Sequence, residues 1–77
     1  MEKFEKIDLR IKEIGDKLKK VRKEKGHNSY ENFAFDNELS RVQYWRMEKG
    51  TNFTIKNLLK ILDIHKMSLK DFFKDID

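Results

Sequence analysis

Phe4, Ile7, Ile11, Ile14, Leu18 and Val21 are separated by 3, 4, 3, 4 and 3 residues. Apolar positions at this spacing fall on one stripe of an α-helix. The stripe predicts a long first helix over residues 3–25. Gly15 lies inside it, where glycine costs ~1 kcal/mol relative to alanine, and predicts a close approach by another helix. Beyond Gly26 the pattern breaks into short runs, each preceded by a hydroxyl side chain. Ser29 precedes YENFAF, Ser40 precedes RVQYWRME, Thr54 precedes IKNLLKILDI and Ser68 precedes LKDFF. Such residues satisfy the free N–H groups of a helix start. Ser40 with Gln43 fits a capping box, and Asp71 sits where a capping carboxylate follows Ser68. No sustained polar–apolar alternation signals a strand. The expected fold is all-α, a compact bundle of five helices near 3–25, 29–36, 40–48, 54–64 and 68–74.

The third of these helices has two unlike faces. Tyr44 and Met47 form an inward stripe, with Ser40 between them. Arg41, Val42, Trp45 and Arg46 lie on the other side. A solvent face does not require a valine and the chain's one tryptophan. The second and third helices are joined by a short link around Asn37, Glu38 and Leu39. Two short helices joined this tightly form a helix-turn-helix, with Phe33, Ala34, Leu39, Tyr44 and Met47 as its internal packing. A plain helical bundle satisfies the same pattern.

Length and charge narrow the picture. Seventy-seven residues argue for one domain with a modest core. The net charge is +4, and residues 1–26 hold 10 basic against 6 acidic groups. A basic bias of this kind suits a nucleic-acid partner. With no cysteine, disulfides and thiolate metal sites are excluded. No apolar run has the length of a signal-peptide core or of a membrane span, so the expected location is the cytoplasm.

The segments IGDKLKKVRKEKG (14–26), SYENFAFDNELSRVQYWRMEKG (29–50) and LLKILDIHKMSLKDFF (58–73) together resemble the lambda-repressor-like, Xre-type helix-turn-helix proteins of bacteria and phages. The likeness spans residues 14–73. Its most specific part is Arg46-x-Glu48-x-Gly50 at the close of the helix-turn-helix, residues 29–48. It implies a sequence-specific, double-stranded DNA-binding regulator, most simply a repressor. Its recognition helix, 40–48, would lie in the major groove. By the same resemblance, Arg41, Val42 and Arg46 would contact bases. Ser29, Tyr30, Gln43, Lys49, Thr51 and Asn52 would contact the backbone, and Arg22 with Glu48 would form a partly buried salt bridge.

Elementary chemistry agrees. Arginine can bind O6 and N7 of guanine in a bidentate way, and valine can meet the thymine methyl group. Trp45 is four residues from Arg41 and could hold its guanidinium. It could equally press on the sugar-phosphate wall, or pack with Val42 on another helix or a second subunit. Because one helix reads few base pairs, the expected DNA-bound form is a homodimer on an imperfect palindrome.

Several positions depart from the family pattern. There is one extra residue between Gly26 and Ala34. Tyr30 stands where glutamine is common. The turn has Glu38 in place of its frequent glycine, and Asn37 is the residue expected to take the left-handed conformation. The loop after Gly50 is short and lacks proline. Lys66 stands where a glycine often ends the fourth helix. Upstream, Phe4, Ile7 and Ile11 form an N-terminal helical extension within residues 1–13. They would pack on Leu69, Phe72 and Phe73, form a dimer contact, or both.

Enzymatic chemistry finds no support. His27 and His65 are 38 residues apart with no motif around either. The serines read as caps, and no phosphate loop or metal-ligand spacing occurs. No cofactor is expected. Two other functions fit the same residues. One is an antitoxin that binds a toxin and represses its own operon. The other is a helical protein-interaction module without DNA binding.

Overall fold

The computed structural model describes residues 8–51 and 53–76. Among these residues there are five helices and no strand: α1 (Leu9–Glu24), α2 (Tyr30–Asp36), α3 (Arg41–Lys49), α4 (Ile55–His65) and α5 (Leu69–Phe73). The fold is all-α, as expected. Each start is capped by an extended residue whose side-chain oxygen accepts a backbone N–H. Ser29 accepts from Asn32, Ser40 from Gln43, Thr54 from Asn57 and Ser68 from Asp71. A cap of this kind contributes ~1 kcal/mol.

The first helix begins later than its apolar stripe suggests. Asp8 is extended, and its carboxylate accepts from the Arg10 N–H at 2.9 Å. That cap sets the helix start at Leu9 rather than near residue 3. Phe4 and Ile7 lie outside the described residues. Ile11 is half-buried; of the anticipated partners of the extension, Leu69 is about half exposed, Phe72 is buried in the core and Phe73 is half-buried.

The core takes side chains from every helix. Leu18 and Val21 come from α1, Phe33 and Ala34 from α2, and Tyr44 and Met47 from α3. Leu58, Ile61 and Leu62 come from α4, and Phe72 from α5. Leu39 packs against this cluster from the turn. His65 is buried too, stacked on Phe33 with ring centroids 5.1 Å apart. Burial lowers its pKa, and Lys25 and His27 nearby act in the same direction.

Gly15 explains how closely α1 and α3 meet. A Cβ at this position would stand 2.5 Å from the Met47 carbonyl oxygen and 2.8 Å from that of Glu48. Both are backbone atoms and cannot rotate away. Only glycine lets the carboxyl end of α3 rest on α1.

The turn between α2 and α3 differs from expectation. Asn37 keeps a negative φ, and Glu38 takes the left-handed conformation at φ 58. Asn37 is held because both its backbone N–H and its Nδ2 donate to the Phe33 carbonyl. The chain reverses one residue later, where Glu38 N–H meets Phe35 O and Leu39 N–H meets Ala34 O. This is a Schellman closure without its usual glycine. Lys66 closes α4 in the same way at φ 57.

Candidate nucleic-acid interface

The inner face of α3 is fixed from behind. Arg22 Nε donates to Glu48 Oε2 at 2.7 Å and Nη2 to Oε1 at 3.2 Å, while Nη1 donates to the His27 carbonyl at 2.6 Å. Both side chains are less than a tenth exposed. One guanidinium thus ties α1, α3 and the α1–α2 loop together. The Glu48 carboxylate raises the Arg22 pKa, and burial pushes that of the neighbouring Tyr44 phenol up. Tyr44 Oη makes no hydrogen bond among the described residues.

The outer face is open. Arg41, Val42, Trp45 and Arg46 are all exposed, Val42 at 50% and Trp45 at 41%. No described element covers them. Arg41 does not lean on Trp45. It faces Glu31 of α2 at 3.7 Å, and the cation above the indole is Lys49, 5.5 Å from the ring centroid. Both cations are four residues from Trp45 and so within reach. The Glu31 carboxylate draws Arg41 across to α2 and leaves the ring to Lys49.

The backbone-contact candidates fall around this face. Ser29 and Tyr30 are half-buried at the start of α2, and Gln43 is exposed. Thr51 is exposed, but its hydroxyl donates to the Arg46 carbonyl at 2.8 Å, so that proton is already used. Asn52 lies outside the described residues. Two grooves flank Trp45. The smaller, about 370 Å³, is lined by Tyr30, Glu31, Arg41, Val42 and Trp45. The larger, about 520 Å³, shares Tyr30, Glu31 and Trp45 with it and continues over α1 along Lys12, Lys19 and Lys23. Sequence pattern alone did not single out these α1 lysines. The basic excess of residues 1–26 was visible, but not which lysines would stand beside α3.

A control protein of a Mycoplasma species, C.MunI, is 41% identical to this chain over 71 residues, covering 91% of the chain and 95% of the relative. The chain belongs to the control-protein family of helix-turn-helix regulators. No family model matches the sequence, and no solved structure matches it. That relative is a control protein, not an enzyme, and the expectation of a non-enzymatic chain is consistent with it. No helix among the described residues is long and apolar enough to cross a membrane.

Proposed function

We propose that this control-protein relative binds double-stranded DNA sequence-specifically and regulates transcription by occupying its site, most simply as a repressor. The observation that carries this reading is the outer face of α3. Two arginines there flank an exposed valine, on a helix anchored from behind by a buried ion pair. A helix held this firmly can present side chains to the major groove without yielding. In this reading Arg41 and Arg46 bind guanine edges and Val42 meets a thymine methyl group. Tyr30, Ser29, Gln43 and Lys49 hold phosphates, whereas Thr51, with both its donors on the Arg46 carbonyl, would have to release that bond to join them. Trp45 supports Lys49 and closes the wall between the two grooves. Two copies on an imperfect palindrome would place their recognition helices about 34 Å apart.

The test begins with selection of a preferred duplex from a random library. Gel-shift titration then compares the wild type with Arg41→Ala and Arg46→Ala. Each variant is expected to lose ~1–3 kcal/mol of discrimination against a mismatched base pair. Undiminished discrimination in both would remove α3 from the interface. The name of the relative favours regulation over a toxin-binding or purely protein-binding role.

A further inference from the structure

We propose that the larger groove is a second DNA contact, a track on α1 for the sugar-phosphate backbone, formed by Lys19 and Lys23 and joined to α3 through Lys49. It rests on the DNA-binding reading above and extends the footprint beyond the helix-turn-helix.

The distribution of charge in the groove supports the assignment. Its lining holds five cations and three carboxylates. Each carboxylate already has a partner: Asp16 has Lys12 at 3.3 Å, Glu48 has Arg22, and Glu31 has Arg41 at 3.7 Å. Lys19, Lys23 and Lys49 have no ion-pair partner among the described residues. The carboxylates are therefore locally neutralised, and the surplus positive charge lies on three lysines around one groove.

Geometry links that charge to the base-reading face. Lys19 and Lys23 are one helical turn apart, ~5–6 Å between Cβ atoms, so both ammonium groups can reach one stretch of strand. The groove adjoins the smaller one beside Arg41 and Val42, the two sharing Tyr30, Glu31 and Trp45 as a common wall. A strand whose bases face α3 would leave the major groove over these rings and pass onto α1. Lysine supplies a flexible point charge that needs no fixed bidentate geometry. That suits attraction to phosphate without base choice.

The test measures binding to the selected duplex and to a scrambled one across a salt series. The double variant Lys19→Ala with Lys23→Ala keeps both positions helical, since alanine is the best helix former. Its slope of log K against log salt should fall by about 1.8, at ~0.9 for each phosphate left without its lysine. Affinity at 0.1 M salt should fall on the order of tenfold per lysine, equally for both duplexes. Lys70→Ala with Lys74→Ala removes the same charge outside both grooves, and should leave the slope within a few tenths of wild type. An unchanged slope in the groove variant overturns the track, as does an equal fall in the control pair. Loss of discrimination between the duplexes also overturns it, because the lysines would then be reading bases. Failure of the wild type to bind either duplex would overturn the DNA-binding reading itself, and the track with it.

Discussion

The two faces of α3 obey different rules. On the inner face, Tyr44, Met47 and Glu48 are buried, the carboxyl end rests on Gly15 backbone to backbone, and Glu48 is held by Arg22. On the outer face, Arg41, Val42, Trp45 and Arg46 stand in solvent, and the ion pair there is long and exposed. One helix of nine residues thus carries a surface that cannot change without altering the fold and another that the fold hardly notices. The separation predicts which substitutions damage stability and which leave it nearly unchanged, affecting only the DNA binding proposed above.

The largest effect should come from the brace. Arg22→Ala leaves the Glu48 carboxylate buried without its partner, and breaking a buried pair this way costs ~3–5 kcal/mol. Urea unfolding followed by helical circular dichroism measures it. A loss below about 1 kcal/mol, the worth of an exposed pair, would mean that solvent reaches Glu48 and the inner face is not dry. Gly15→Ala comes next. Its methyl group would collide with two α3 carbonyls, and overpacking of this sort costs ~1–3 kcal/mol. Wild-type stability in this variant would mean that α1 and α3 can slide apart freely.

The outer face supplies the contrast. Arg41→Ala and Arg46→Ala should each change stability by no more than ~0.5 kcal/mol, as surface substitutions usually do. A midpoint shift as large as that of Arg22→Ala would erase the distinction between the faces. An effect of similar size but opposite sign is expected in the turn leading into α3. Glu38 holds a left-handed conformation that costs a non-glycine residue ~1–2 kcal/mol. Glu38→Gly relieves that strain but adds freedom to the unfolded chain, for a net gain of ~0.5 kcal/mol. A decrease in stability would show that the Glu38 side chain contributes more than its backbone costs.

What the sequence made legible follows the range of the forces involved. Ser29, Ser40, Thr54 and Ser68 cap their helices within three residues of themselves, so their roles could be read from neighbours alone. The pairing of Arg22 with Glu48 spans 26 residues and could be anticipated only through resemblance to a family. The apolar stripe runs on through Phe4 and Ile7 and so places the start of α1 too early, because the local cap at Asp8 sets the boundary. The left-handed residue is Glu38, one position beyond the Asn37 that residue preference favours. Asparagine tolerates that conformation, but Asn37 is tied to Phe33 O by two donors. The partner of Arg41 and the lysine groove were not legible. Both depend on how α1 and α2 lie beside α3, and no local pattern encodes that placement.

Gly15 has a consequence for the history of such a molecule. With no side chain between α1 and the end of α3, the position of α3 is set by main-chain contact, and substitutions on its outer face have no route to shift it. Arg41, Val42 and Arg46 can then be exchanged one at a time without a compensating change inside. On the proposed DNA-binding reading, a regulator built this way would be able to drift to a new address on the genome while its scaffold stays the same. Two descendants could share every buried residue and no longer answer to each other's sites.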